Sequence, residues 1–149
     1  MEPSEPLARE MKDRDDIARL ARLYARGIDR RDWDLVRSCF SDDAKVHGSR
    51  KVADLDEYLP DLRSGVEYFP ATMHFMGNQL VDVDGDTGTV ETYAIAYHWK
   101  AEPAGSDGDG NLVMGVRYHD TVQRIDGTWK ITARSVDADW RQGSFPPPA

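Results

Sequence analysis

The sequence predicts an α+β domain in which helices cover one face of an antiparallel β-sheet. Two observations lead to this fold class. Apolar residues recur at helical spacing in the first third of the chain, and from Thr72 onward their period changes from 3.6 residues to 2. In addition, the turn pairs Asp84-Gly85 and Asp126-Gly127 separate runs rich in Val, Thr, Ile, Tyr and Trp. Helices followed by a meander of strands are typical of a sheet covered on one face.

The first helix is predicted over about residues 14–29. Its apolar residues recur at i, i+3, i+4, i+7, i+8 and i+11, which places one apolar stripe along the helix. The stripe consists of Ile17, Leu20, Ala21, Tyr24, Ala25 and Ile28. Asp13, Asp15 and Asp16 stand where acidic residues favour a helix start.

Two further helices follow from capping residues. Asp32 can cap a second helix, whose predicted apolar face carries Trp33, Val36 and Phe40. Asp54, with Glu57 three residues later, resembles a capping box for a third helix that Pro60 should distort. The predicted apolar residues of this third helix are Leu55, Tyr58, Leu59 and Leu62.

The second half of the chain supplies the strands. We predict them at about 72–83, 87–101, 112–125 and 128–139, with a short earlier strand at 44–47. The Gly-rich segment 104–110 predicts a flexible loop, and the prolines at the end of the chain cannot pair inside a sheet. The predicted organisation is a flexible segment 1–12, one domain over 13–141 and a Pro-rich tail 142–149.

Composition excludes several classes of function. A chain of 149 residues predicts one domain. The net charge of −8 disfavours nucleic acid and anionic membrane surfaces as partners, because both are bound by clustered Lys and Arg. The sequence shows neither a signal peptide nor an apolar run that could span a bilayer, so we expect a cytoplasmic protein. Cys39 is the only cysteine and is interpreted as a buried small hydrophobe.

Two strands predict the wall of an apolar pocket. One face of the strand 87–101 carries small residues that lead to a histidine: Val90, Thr92, Ala94, Ala96 and His98. One face of the strand 112–125 carries Leu112, Met114, Val116, Tyr118 and Asp120. A small-residue face under helices leaves unfilled volume that suits a small hydrophobic organic ligand. The alternative is that these are ordinary core positions.

Asp29 and His74 are the candidates for chemistry. Asp29 borders the apolar stripe at the C-terminal end of the first helix, where the helix dipole disfavours an anion unless a histidine, Arg30 or Arg31 compensates. His74 lies between large apolar residues and therefore needs a polar partner. A histidine held by a carboxylate becomes an oriented general base. Solvation or capping is the common alternative for a helix-end Asp.

No cofactor or metal is expected. Two histidines and one carboxylate can bind iron, but the spacings here form no recognised ligand motif. The chain has no GxGxxG, Walker or GxSxG motif, so nucleotide, phosphate and serine-hydrolase chemistry lack support. His47 and His119 are interpreted as surface or edge positions.

Three segments resemble the SnoaL-like family of the nuclear transport factor 2-like superfamily, namely 28–34 (IDRRDWD), 72–75 (TMHF) and 124–131 (RIDGTWKI). The resemblance covers about 15–140. It implies a cone-like curved antiparallel or mixed sheet with about three N-terminal helices over one face. It also implies similarity to scytalone dehydratase, the lindane dehydrochlorinase and bile-acid dehydratases, in which an Asp–His dyad promotes elimination. Asp29 and His74 match that dyad, and His98 matches a second active-site histidine of scytalone dehydratase. The sequence departs from that enzyme at Ile28, Val116 and Tyr118.

The leading hypothesis is a cofactor-independent lyase or isomerase acting on a small hydrophobic cyclic ketone or hydroxy compound. His74 would remove a proton, Asp29 would orient His74, and His98 with a tyrosine would stabilise an oxyanion or protonate a departing hydroxyl. The predicted substrate-contacting residues are Tyr24, Asn78, Val116, Tyr118 and Trp140. The alternatives are a polyketide cyclase-type enzyme and a non-catalytic binding or assembly domain. The outward strand residues 93, 95, 97 and 99 suggest a homo-oligomer, either a dimer or a trimer.

Overall fold

A computed structural model describes residues 4–48, 51–100 and 110–146. Within these residues three helices pack against a curved, unclosed six-stranded mixed sheet, which confirms the predicted fold class. The helices are α1 (Glu5–Arg30), α2 (Trp33–Ser38) and α3 (Leu55–Glu67). The strands are β1 (Phe40–His47), β2 (Val52–Asp54), β3 (Ala71–Asp84), β4 (Thr87–Trp99), β5 (Leu112–Ile125) and β6 (Thr128–Gln142).

Helix α1 begins at Glu5, well before the predicted start near residue 14. Ser4 is the N-cap and a proline occupies the first turn, where its missing N–H costs nothing. The segment 1–12, predicted to be flexible, is therefore helical from Glu5 onward. The helix buries the predicted stripe, with Ile17 and Ile28 fully inaccessible.

The capping prediction is correct for α2 and wrong for α3. The Asp32 side chain accepts a hydrogen bond from the Leu35 N–H and caps α2, as predicted. Phe40, predicted on a helix face, is instead the first residue of β1. Asp54 is the N-cap of α3 but makes no side-chain capping bond, so the capping-box prediction is wrong. Pro60 lies inside α3 without ending it.

The strand order is β2-β1-β6-β5-β4-β3. Strands β3 to β6 form an antiparallel meander, and β1 pairs in parallel with β6. The hairpin between β5 and β6 turns at Asp126-Gly127, both with positive φ, as a type I′ turn requires. The hairpin between β3 and β4 turns at Gly85-Asp86, one residue later than predicted. The sequence did not predict β2, and β4 ends at Trp99, two residues before its predicted end. The predicted loop 104–110 lies almost wholly outside the described residues.

The core lies between the helices and the inner face of the sheet. This face includes both predicted strand faces, since residues 90, 92, 94, 96 and 98 and residues 112, 114, 116, 118 and 120 are all buried. Cys39 is buried as expected, and burial raises the pKa of its thiol to about 11. Within the described ranges, no helix has the length and hydropathy of a membrane span.

Candidate active site

Asp29 and His74 form a direct hydrogen-bonded pair between α1 and β3. The Asp29 Oδ1 lies 2.8 Å from the His74 Nδ1, and the Asp29 Oδ2 accepts the His74 backbone N–H at 2.8 Å. The Thr72 hydroxyl donates to Oδ1 at 3.0 Å. The His74 side chain is 6% exposed and the Asp29 side chain is 23% exposed, so the pair is largely buried but retains some contact with solvent. Both carboxylate oxygens are thus engaged by the same residue.

This arrangement fixes the tautomer of His74. Burial alone would raise the pKa of Asp29, but the hydrogen bonds from the His74 ring, the His74 backbone and Thr72 outweigh it and lower the pKa. Asp29 is therefore an ionised acceptor, and the ring atom facing it, Nδ1, carries the proton. The lone pair of neutral His74 is left on Nε2, the nitrogen that can accept a proton from a ligand.

His98 stands beside His74 on the neighbouring strand. The two ring centroids are 5.5 Å apart and the ring planes are nearly perpendicular, and the Phe69 ring also packs against His98, with its centroid 5.1 Å away. The His98 Nδ1 donates to the Leu112 carbonyl at 3.2 Å. Burial, reinforced by the neighbouring His74, lowers the pKa of His98 to about 4. A pKa of about 4 makes His98 an uncharged ring at neutral pH, and a neutral ring whose Nδ1 donates to Leu112 has its lone pair on Nε2.

A second polar centre lies deeper on the same face. Arg134 of β6 and Asp120 of β5 form a bidentate pair at 2.7 and 2.8 Å, and both side chains are inaccessible to solvent. The guanidinium stacks against Tyr24 at 4.3 Å, Tyr118 at 4.6 Å and Phe40 at 5.2 Å. Burial alone would lower the pKa of Arg134, but Asp120 outweighs it and raises the pKa. Burial raises the pKa values of Tyr24 and Tyr118, which keeps both hydroxyls protonated.

Arg134 is the site residue that sequence reasoning missed. Its Nη1 is the buried side-chain donor that lacks a hydrogen-bond partner within the described part of the chain. The signal in the sequence was Asp120, since a carboxylate that alternates with apolar residues on a buried face requires a cationic partner. An unpaired buried guanidinium nitrogen is uncommon, and the oxygen of a water molecule or of a ligand would satisfy it.

Asn78 and Trp140 do not join this inner face. In β3 two residues, Gly77 and Asn78, fall between Met76 and Gln79 opposite the single residue Tyr93. Gln79 takes the inner position, where it donates to Thr92, and Asn78 is exposed. These two predicted substrate contacts are therefore placed differently from Tyr24, Val116 and Tyr118, which are buried inside.

Trp140 reaches the outer face through a second bulge. Val116 pairs with Ala138 and Gly115 pairs with Trp140, so Asp139 is an extra residue in β6. The bulge turns the Trp140 side chain over Gly115, where it is 50% exposed. Trp140, predicted to contact the substrate, therefore lies on the opposite face of the sheet from His98 and Tyr118, because one extra residue reverses the face of every residue after it.

Two open concavities lie on the surface of the described residues. One, of about 240 Å³, lies on the outer face of the sheet between Phe75, Asn78, Tyr93 and Trp140. The other, of about 600 Å³, lies near α2 and the start of β1, and is lined by residues including Asp34, Arg37 and Lys130. Neither includes Asp29, His74 or His98. Among the described residues no group of three or more His, Cys, Asp or Glu side chains could hold a metal ion.

The remaining histidines lie where the sequence predicted them. His47 is exposed at the end of β1. His119 is half-exposed on the outer face, 3.2 Å from both Glu91 and Asp137.

Comparisons with known proteins identify the family. A family model described as the SnoaL-like domain matches residues 9–135. An uncharacterized protein of Mycobacterium tuberculosis, Rv2910c, is 29% identical over 131 residues, which is 84% of each chain. A candidate scytalone dehydratase of Novosphingobium aromaticivorans superposes with a TM-score of 0.78 at 20% identity, covering 94% of this chain and 93% of that one. The hexachlorocyclohexane dehydrochlorinase LinA-type3 of Novosphingobium barchaimii superposes with a TM-score of 0.75 at 18% identity, covering 93% and 97%.

Proposed function

This chain belongs to the SnoaL-like domain family, and from that premise we propose that it is a cofactor-independent lyase or isomerase with His74 as general base. The substrate class is a small hydrophobic cyclic ketone or hydroxy compound. The observation that carries the proposal is the pair of 2.8 Å bonds from the imidazole and the backbone N–H of His74 to the two oxygens of Asp29. This contact orients the ring and favours the tautomer with the proton on Nδ1, so that Nε2 is the base.

The proposed reaction begins with proton transfer. The His74 Nε2 takes a proton from a carbon next to a carbonyl, and the electrons of the broken C–H bond form an enolate. In an elimination a leaving group then departs from the adjacent carbon, whereas in an isomerisation or a polyketide-type cyclisation the enolate reacts at carbon. Asp29 stabilises the imidazolium in either case. The solved relatives are named for eliminations, as a dehydratase and a dehydrochlorinase.

Negative charge that develops on the substrate needs hydrogen-bond donors. The Tyr24 and Tyr118 hydroxyls and the free Arg134 Nη1 are the donors of the inner face that suit this role. His98 is assigned as an acceptor for a substrate hydroxyl, in place of the acid role that the resemblance implied.

Exchange of a carbon-bound proton tests the proposal without knowledge of the natural substrate. 2-Tetralone in D₂O would be followed by ¹H NMR for loss of its α-protons, beside a panel of cyclic β-hydroxyketones assayed for loss of water. Replacement of His74 by Ala should lower the rate by about 10²–10⁴, as expected for loss of a general base. His47→Ala, at an exposed histidine, is the matched control. Equal rates for the wild type and His74→Ala would refute the role of His74.

We also propose that the protein forms a homo-oligomer through the outer face of the sheet. Met73, Phe75, Tyr93, Tyr97, Trp99 and Trp140 share this face and are 43–66% exposed. At roughly 200 Å² per large side chain they expose on the order of 600 Å² of largely apolar surface. A patch of this size reaches the upper range for monomers and approaches the ~800 Å² that each partner buries in a stable interface.

Light scattering coupled to size-exclusion chromatography tests this assembly. The wild type should elute as a dimer or trimer, and Phe75→Glu should shift it towards the monomer. Val52→Glu is the control, because Val52 is as exposed as Phe75 but lies on β2 at the other edge of the sheet. A wild type that is monomeric at tens of micromolar concentration would contradict the proposal.

A further inference from the structure

Arg31 is held in an unusual backbone conformation directly after α1. Its φ of 59° lies in the left-handed region, where a residue with a side chain persists only if its surroundings hold it there. The backbone N–H groups of Arg31 and Asp32 close the helix end by donating to the Ile28 and Gly27 carbonyls, and the Arg31 guanidinium adds side-chain bonds. Nη1 donates to the Ile28 carbonyl at 2.8 Å and Nη2 donates to the Phe69 carbonyl at 2.9 Å. Arg31 therefore joins the end of α1 to the segment that leads from α3 into β3.

The same guanidinium reaches Thr72. The Arg31 Nη1 donates to the Thr72 Oγ1 at 2.7 Å, and the Thr72 hydroxyl donates to the Asp29 Oδ1 at 3.0 Å. The direction of each bond is fixed, because a guanidinium has only donors and an ionised carboxylate has only acceptors. The single hydroxyl proton of Thr72 must therefore point at Asp29.

We propose that Arg31 and Thr72 form a positioning relay that orients the Asp29 carboxylate towards His74. The inference rests on the proposed function, in which Asp29 orients the general base. Neither relay residue touches the reacting atoms, so both are positioning residues. Hydrogen bonds in such a chain polarise one another, so the charge of Arg31 acts on Asp29 through the threonine hydroxyl.

The relay resolves the difficulty of an anion at the C-terminal end of a helix, where the dipole disfavours it. A direct ion pair with Arg31 would occupy the carboxylate oxygens that His74 needs. With Thr72 interposed, Oδ1 accepts from both the Thr72 hydroxyl and the imidazole, and Oδ2 accepts the His74 backbone N–H. Three donors on two oxygens fix both the plane and the charge of the carboxylate. Arg30, the neighbouring cation, is exposed.

Titration of the Asp29 carboxyl carbon by ¹³C NMR tests the relay in the full-length protein. Thr72→Val keeps the shape of the side chain and removes the hydroxyl, so the pKa of Asp29 should rise by about one unit, the worth of one hydrogen bond to a charged group. Thr72→Ser restores the hydroxyl and should return the pKa towards the wild-type value. Thr89→Val, an exposed threonine on β4, should leave it unchanged.

Arginine variants distinguish the hydrogen-bonded relay from a general electrostatic effect of nearby positive charge on Asp29. Arg31→Gln should raise the pKa of Asp29 as Thr72→Val does, and the double variant should add little, because both changes break one chain. Arg30→Gln removes the same charge one residue away and should have a much smaller effect. If Arg31→Gln does not fold, the Thr72 series decides alone.

Two results would overturn the relay: an Asp29 pKa that is the same in Thr72→Val and the wild type, or one that Arg30→Gln shifts as much as Arg31→Gln. The titration needs no turnover. If the relay titrates as expected while His74→Ala leaves proton exchange intact, the relay stands and the proposed function fails. If His74→Ala abolishes exchange while Thr72→Val leaves the pKa unchanged, only the relay fails.

Discussion

His98 should make the stability of the protein fall as the pH drops below neutrality. His98 is 8% exposed, and burial lowers the pKa of its ring from 6.5 to about 4. Between these values the unfolded chain binds a proton at residue 98 and the folded chain does not, so the free energy of unfolding rises with pH. The contribution is fully present above pH 6.5 and is lost progressively towards pH 4. At 1.36 kcal/mol per pKa unit the loss amounts to about 3 kcal/mol.

The assay is urea unfolding of the wild type and His98→Gln at several pH values between 7 and 4. The difference between the two proteins isolates residue 98 from every other titrating group. His47→Gln, at an exposed histidine, is the control and should follow the wild type. Asp29 and Asp13 also have lowered pKa values, but their contributions are lost only below about pH 4. Parallel pH profiles for the wild type and His98→Gln would refute the argument that His98 is buried in its neutral form.

Two further predictions concern packing. Asp120→Asn should destabilise the protein by about 3–5 kcal/mol in urea unfolding, because it leaves the Arg134 guanidinium buried without a counterion. The double variant Asp120→Leu/Arg134→Met should recover much of this loss. An Asp120→Asn protein whose stability lies within about 1 kcal/mol of the wild type would contradict the argument. Gly115→Ala should displace the Trp140 indole, because the added Cβ would lie 2.1 Å from the Trp140 Nε1, with a cost of about 1–3 kcal/mol. Gly77→Ala, whose nearest contact would be 3.4 Å, is the control, and equal stability of the two variants would disprove the clash.

The elements of the fold follow from periodicity because each has one buried face. The α1 stripe and the alternation in β4 and β5 predicted which residues are inside, and Ile17, Ala96 and Val116 are buried accordingly. Element ends were less predictable. The first two turns of α1 expose Leu7 and Met11, so they carry no amphipathic signal, and β2 is three residues long, too short for any period to register.

The site residues that were predicted correctly lie in regular stretches of their elements, and those that were misplaced or missed follow bulges. Asp29 and His74 lie on the faces of α1 and β3 that the periodicity predicts, and His74 precedes the bulge in β3. Asn78 and Trp140 follow bulges, at Gly77–Asn78 in β3 and at Asp139 in β6. Alternation predicts a face only while pairing remains one to one, and a bulge carries no signal in a single sequence. Arg134 was missed for a related reason, since it follows the register shift of β6 opposite Thr121 and Val122.

The spacing of the polar groups bears on the size of substrate that the proposed chemistry would accept. His74 pairs with Ala96, which pairs with Met114, whereas Tyr118 lies four residues further along β5, or about 13 Å of strand. The backbone positions of the base and of Tyr118 are therefore offset along the inner face, and the small side chains of Ala94 and Ala96 lie along this stretch of β4. A single small ring at the His74 Nε2 would span only part of this distance. The second ring of a fused bicyclic ketone would pack over Ala94 and Ala96, an apolar contact that a single ring lacks, so bicyclic ketones should react faster than monocyclic ones with the same acidity.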